Sequence, residues 1–490
     1  LKEVDISSWD TSKVTNMAHM FQDCASLTLL DTSNLKTSNV LDMSEIFSGC
    51  AQLTSLAVSG FQTGQVKNMK RMFESCNSLE TLDVSRFSTN NVQDMSNMFS
   101  YCSKLKVIDV SNFRTDQVTN MEQMFRSCKL VTNLDVQNFD TSKVVSMREM
   151  FYSCSSIESL DFSRFDTSKV TSFSFFLSES SSLKYIRTTT FKTSSAIDMS
   201  SMYSKCSSLT SVDLTNFDTS NTVNMNYMFN DCQSLEKLDL SKFITKNVET
   251  MSGMFQNCMK LETLDISGFD TGKVYDFSLM FSQCSNLKNI KANFNTKSAN
   301  DMYKMFGGCG ELTSINVANF DTSKVTDMCY MFQGDRSLTT LDLSSFDTSN
   351  VRDMSYMFQY CYSLTEIKGL NKFVTSKVDD MSSMFHFCEK LREIDVSNFD
   401  VSNVESMSYM FFDCNKVERL DIEKFSTNSL RDMSYMFTGC ANIQNLNFKN
   451  FKTEYVITME SMFVSCDKLT SLDLSFFKTN RVEKMDNMFS

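Results

Sequence analysis

Residues 79–103 read LETLDVSRFSTNNVQDMSNMFSYCS, and two periods meet inside that stretch. Leu82 and Val84 alternate with Asp83 and Ser85, the pattern of a strand with one buried face. From Val92 the period changes. Val92, Met95, Met98, Phe99 and Cys102 fall on one stripe at about 100° per residue, which predicts an amphipathic helix with its apolar side inward. Thr89 stands three residues before Val92, where a hydroxyl can accept an N–H of the first helical turn, so it is expected to be the helix N-cap.

The same unit recurs along the whole chain. The last position of Met-x-x-Met-Phe is residue 21 in the first copy and residue 489 in the nineteenth. The copies are 26 residues apart, except for one interval of 25 ending at Phe306 and one of 27 ending at Phe385. Threonine fills the N-cap column in 18 of 19 copies, with Val401 the exception. One strand and one helix cannot bury a core alone, so the copies are expected to stack on their neighbours. Parallel strands lie about 4.8 Å apart and packed helices about 8–10 Å, which would make the helical side the longer one. The expected fold is therefore an α/β leucine-rich-repeat-like solenoid, curved, with a parallel sheet on the concave face and short helices on the convex face. It reads as one continuous array over 1–490, a piece of a longer chain that lacks both capping repeats.

Composition supports one pattern copied many times. There are 35 methionines, 43 phenylalanines and 17 cysteines, but no proline and only 12 glycines. The net charge is −12 with both signs interspersed, so no basic stripe points to nucleic acid, and no apolar run reaches the ~20 residues a membrane span needs.

The residues that look most chemical are consumed by the repeat. Thirty-four methionines lie in two columns of the apolar stripe, where unbranched thioethers fill space between stacked phenylalanines; copper ligation is the other reading of Met-x-x-Met. Sixteen cysteines share one buried column, with Ser180 and Asp335 filling its gaps, and are expected to be free thiols. Cys329 stands outside that column at the edge of the stripe and is expected to be the most reactive. The two histidines, His19 and His386, complete no catalytic or zinc set, and no phosphate-binding glycine loop follows any strand, so no enzyme is expected.

One column remains for function. The outward strand position is aspartate in 13 of 19 copies. Asp83, Asp109, Asp135, Asp161, Asp213, Asp239 and Asp265 form its central run, the candidate binding strip. Stacked carboxylates at this spacing repel by about 0.9 kcal/mol per pair even in water, so something must offset the repulsion. Hydrogen bonds from the turn or from nearby hydroxyls would do so. A concave acidic strip that takes up Ca²⁺ or a basic partner is the second reading. Some copies depart from the pattern. Residues 173–190 lose the motif, leaving Phe173, Phe176, Leu177, Ser180 and Arg187, and Lys291 and Lys368 also replace the acid. Drift explains these, or else a local bend, bulge or partner footprint does.

The unit in Leu341–Cys361, Leu-Asp-Leu-Ser-x-Phe-Asp-Thr-Ser-x-Val-x-x-Met-x-x-Met-Phe-x-x-Cys, resembles the repeat of BspA-like leucine-rich-repeat surface proteins, including the lipoprotein-type arrays of mycoplasmas. The resemblance covers essentially the whole chain. It implies a secreted or surface-anchored, non-enzymatic, adhesin-like protein with protein partners at a host or cell surface. An intracellular architectural scaffold in the cytoplasm and a glycan-binding array are the alternatives.

Overall fold

In the computed structural model all residues 1–490 are described, and they divide into two compact units, Leu1–Asn247 and Val248–Ser490. Both units are stacks of coils joined by parallel β-pairing at the 26-residue period. In the first unit β1 (Ser55–Leu56) pairs with β2 (Thr81–Leu82), and β3 (Ser159–Asp161) with β4 (Tyr185–Arg187). In the second, β5 (Thr263–Ile266) pairs with β6 (Asn289–Ala292), and β7 (Thr340–Asp342) with β8 (Glu366–Lys368). A second ladder of single bridges runs down each unit, through Asn68, Asp94, Asn120 and Ser146 in the first and Asp301, Asp327, Asp353 and Asp380 in the second.

The helices expected from the apolar stripe do not form. The one helical element is a 3-10 turn at Leu370–Lys372, where the 27-residue copy absorbs its extra residue behind Gly369 at φ 85°. Elsewhere the stripe is a run of overlapping β-turns. In the copy quoted first, Met98, Ser100 and Cys102 donate their N–H groups to the carbonyls of Met95, Asn97 and Phe99, three residues back, at 3.1–3.2 Å. The alternate N–H groups point out of the coil. Those of Met95, Asn97, Phe99 and Tyr101 donate to the carbonyls of Asn120, Glu122, Met124 and Arg126 in the next coil, at 2.7–3.1 Å. A helix would have closed those bonds on itself; here they join neighbours, as a strand's do.

Overlapping turns of this kind put every second turn's third residue in the left-handed region. Asn97 and Tyr101 have φ 57° and 61°, and the same two columns are left-handed throughout both units. Gly49, Gly308, Gly334 and Gly439 sit in one of them and Gly253 in the other, where the absence of a Cβ removes the strain. With no helices, the reason for expecting this side to be the longer one falls away. The motif rings stack nearly parallel: Phe47, Phe73, Phe99 and Phe125 follow one another at centroid spacings of 5.7–5.8 Å.

The threonine column is a correction of the same kind. Thr89 caps no helix. Its buried hydroxyl donates to the Arg114 carbonyl at 2.8 Å and accepts the Arg114 N–H at 2.7 Å, stapling its coil to the next. Thr63 does the same with Ser88, and Thr322 with Asp347. The other columns hold the places expected of them. Met95, Met98, Phe99 and Cys102 are fully buried, and the Cys102 thiol donates to the Phe73 carbonyl at 3.1 Å. All 17 cysteines are free.

The degenerate copy keeps the ladder, because Ser172 still bridges Ser146 and Asp198. Leu177 leaves the ring stack short, and Phe162 and Phe176 turn in to fill it, each 5.4 Å from Phe151. β3 and β4 keep one-to-one register across the change.

Replacing Thr89 by Val keeps the volume but orphans both backbone groups of Arg114, so unfolding in urea should show a loss of about 1–3 kcal/mol, larger than that for Thr89→Ser. Val401→Thr supplies the missing staple and should raise stability by about 0.5–1.5 kcal/mol. If Thr89→Val were no worse than Thr89→Ser, the hydroxyl would not be the staple.

Candidate functional site

The outward aspartates of the strand face are fixed by the turn that follows each strand. The Oδ1 of Asp83 accepts the Ser85 N–H at 3.1 Å and its hydroxyl at 2.6 Å, and Asp109 and Asp265 make the same pair of bonds with Ser111 and Ser267. Asp135, Asp161 and Asp239 accept the N–H of Gln137, Ser163 and Ser241, and Asp213 takes both the N–H and the hydroxyl of Thr215. Each carboxylate is thus an acceptor in an Asx turn, which the sequence allows because a residue two places on supplies the donor. The serine bonds hold the carboxyls of Asp83, Asp161 and Asp265 below the ordinary aspartate range. Except for Asp161, which is half-buried, the seven are exposed. In each the second oxygen is left to face solvent or a neighbour. Asn316 and Asn447 stand in the same column and accept the N–H two residues on, at 3.2 and 3.1 Å, so the turn needs the oxygen and not the charge.

Regular strand pairing appears where Ala57, Arg187, Lys291 and Lys368 interrupt the charge column, and not at Asn316 or Asn447. Every strand pair in the chain falls at an interruption. β3 and β4 place Asp161 in register with Arg187, β5 and β6 place Asp265 with Lys291, and β7 and β8 place Asp342 with Lys368. β1 runs into Ala57, which stands in for the acid next to Asp83. Arg187 reaches Asp161 at 3.2 Å and Lys291 reaches Asp265 at 3.4 Å. Opposite charges side by side remove the repulsion that like charges suffer at this spacing, and regular backbone pairing follows. The same places are indented. Recesses of about 550 and 460 Å³ lie at Asp161, Tyr185 and Arg187 and at Glu366, Lys368 and Arg392.

Three features escape a sequence reading that follows only the outward strand column. In the bridge ladder of the second unit, Asp276, Asp301, Asp327, Asp353 and Asp380 are consecutive rungs. They are half-buried, and burial, reinforced by Asp353 and Asp301, pushes the Asp327 carboxyl up to about 6. Asp335, which fills a gap in the cysteine column, is wholly buried; Oδ1 accepts the Cys309 N–H at 2.9 Å and Oδ2 has no partner. Burial drives its pKa far upward, so the native state holds it protonated. The expectation for Cys329 is reversed. It is 5% exposed, its thiol lies 3.0 Å from the Ser355 hydroxyl, and burial with the nearby aspartates disfavours the thiolate. Cys24 and Cys466 are the half-exposed thiols.

A family model described as "Mycoplasma protein of unknown function, DUF285" matches in overlapping segments from residue 1 to residue 490. The chain belongs to that family, in line with the mycoplasma, BspA-like resemblance of its repeat. Among curated proteins none matches. Solved structures similar to it include a leucine rich cell surface protein from Faecalibacterium prausnitzii, at 14% identity over 80% of this chain and 90% of that one with a TM-score of 0.35. A leucine-rich repeat protein from Eubacterium ventriosum matches at 15% identity over 70% and 86%, with a TM-score of 0.37. The functional domain of InlJ from Listeria monocytogenes, which includes a cysteine ladder, matches at 16% over 87% and 73%, with a TM-score of 0.21. Likenesses this slight carry no argument about partners. No helix is long and apolar enough to cross a membrane.

Two outcomes follow from the charges. Asp335→Cys restores the thiol of neighbouring coils and should stabilise the protein by about 1–3 kcal/mol at pH 7. Because the folded pKa is raised, the native state's deficit grows as pH rises above the unfolded aspartate's ~4, so the gain should shrink toward pH 4. A gain independent of pH would refute the buried acid. Lys291→Asp sets two like charges side by side where β5 pairs with β6, and amide exchange of Ile266 and Ile290 should quicken, with partial recovery at ~1 M salt, where the Debye length is ~3 Å.

Proposed function

We propose that the chain is a non-enzymatic protein-binding scaffold of a cell surface, adhesin-like, that docks partners on its strand face. The observation that carries this reading is the strip itself. Its carboxylates are anchored through one oxygen by the turn, present the other to solvent at fixed spacing, and are punctuated by Arg187, Lys291 and Lys368. A column built only for folding would not need charge, since Asn316 and Asn447 make the same turn. The recess beside Arg187, bounded by Asp161 and Asp213, is the place where a partner's side chain would lodge. Protein partners at a host or cell surface, and an extracellular location, agree with the family resemblance of the repeat.

Asparagine is the discriminating substitution because it keeps the Asx turn and removes only the charge. The variant with Asp135→Asn, Asp161→Asn and Asp213→Asn should unfold close to wild type in urea, yet bind host-cell surfaces at least about tenfold more weakly in a labelled-protein binding assay. Wild-type binding by that variant would place the docking surface elsewhere.

A further inference from the structure

The turn face of the second unit carries a column that neither the core nor the strand face uses. Tyr330, Tyr356, Tyr409 and Tyr435 occupy one position of the repeat, just before the second methionine of the motif, and Ser383 interrupts them. All five have φ between 55° and 59°, a conformation that strains residues bearing a Cβ by roughly 1–3 kcal/mol. The first unit fills this position mostly with polar residues such as Asn97, Gln123 and Ser201, and Gly253 fills it in the second. Folding therefore does not ask for tyrosine there. The rings are half-exposed and ordered: Tyr330 stacks on Tyr356 at 4.5 Å and 4°, and Tyr409 on Tyr435 at 4.6 Å and 7°.

Ser383, 4% exposed, is the floor between the two stacked pairs. On its far side His386 lies against Tyr409 at 5.6 Å, and burial depresses its pKa to about 4, so the imidazole is neutral at physiological pH. On its near side Tyr356 has Tyr330 on one face, and the next residue of the column on its other side is the small Ser383. Three residues before Tyr330, Tyr356 and Ser383 stand Asp327, Asp353 and Asp380, bridged rung to rung. These carboxylates are half-buried side by side, and Asp379 adds a further acid. The surface thus combines a half-exposed ring, stacked by an aromatic on one side only, with a row of crowded negative charge.

The chain itself shows what such a surface holds. In the first unit Arg126 lies between two tyrosines, its guanidinium 4.6 Å from the Tyr152 ring centroid and 5.3 Å from that of Tyr101, and it is ion-paired with Glu149. In the second unit Lys304 lies 5.6 Å from the centroid of Tyr330. A guanidinium is planar, so it can stack flat on an aromatic ring and pair with a carboxylate through two in-plane N–H groups at the same time, a geometry that a compact ammonium lacks.

We propose that the turn face around Ser383 docks an arginine-bearing segment of a partner protein, one guanidinium stacking on the face of Tyr356 opposite Tyr330 and pairing with Asp353 or Asp380. This surface is independent of the strand face.

The test uses the full chain and two fluorescent peptides, one with arginines spaced by glycines and its lysine counterpart, in fluorescence anisotropy at physiological salt. The arginine peptide should bind about tenfold or more tighter than the lysine peptide. Ser383→Tyr completes the tyrosine column at a φ its neighbours already tolerate, and it should weaken the arginine peptide about tenfold or more while leaving urea unfolding near wild type. Tyr356→Ala should do the same to binding. The strand-face variant carrying Asp135→Asn, Asp161→Asn and Asp213→Asn should bind the peptide as wild type does. Absence of binding, equal affinity for the two peptides, undiminished binding by Ser383→Tyr, or loss of binding in the strand-face variant would each overturn the proposal.

Discussion

Each coil leaves half of its backbone donors on the turn face unsatisfied within itself, and the whole structure depends on the next coil accepting them. The N–H groups of Met95, Asn97, Phe99 and Tyr101 reach carbonyls 25 residues on, and the strand-side ladder does the same on the other flank. A buried donor without a partner costs about 1–3 kcal/mol, so four such bonds per coil leave little freedom in how coils stack. The left-handed columns exist because they aim these donors outward. Thr89 and the cysteine thiols extend the same rule to side chains, each spending its polar atom on a carbonyl in an adjacent coil.

That dependence explains what was legible in the sequence and what was not. The 26-residue period, the strand and the buried columns of methionine, phenylalanine and cysteine could all be read directly, because burial imposes them whatever the backbone does between. The helix could not be told from the turns. Turns closed by bonds three residues apart bring side chains back to one side at intervals of three and four, the same signature that an amphipathic helix leaves. The threonine was ambiguous for a related reason, since a hydroxyl three residues before an apolar position suits a helix cap as well as an inter-coil staple. The distinguishing signal was present but sparse. Gly49, Gly253, Gly308, Gly334 and Gly439 fall in the two columns that need positive φ, and a helix gives no reason for glycine there.

The acidic strand column was legible as a column, and so was the need to neutralise its repulsion. Hydrogen bonding from the turn accounts for one oxygen of each carboxylate. What the sequence could not show is that the basic substitutions lie in register with acids and coincide with the regular strand pairs, because register is a property of neighbouring coils and not of one repeat. The bridge-ladder aspartates escaped for a simpler reason. Asn, Ser and Thr share their position in other copies, so no single residue type marks it.

In a stack with one coil per repeat, any charged column is a line of like charges one coil apart, and distance cannot relieve it. Only three remedies exist: a hydrogen bond that spreads the charge, an opposite charge in the adjacent coil, or a raised pKa that removes it. The chain uses all three, at Asp83, at Asp265 beside Lys291, and at Asp327. Asp327, Asp353 and Asp380 have no basic residue beside them in the ladder: each accepts an N–H, from Cys329, Ser355 and Ser382, Asp353 takes the Ser355 hydroxyl as well, and the rungs next to them are aspartates except for Ser406 beyond Asp380. A column that remains acidic, half-buried and in register, beside tyrosines that folding does not require, is where a cation from outside the chain would contribute what the other columns find within it.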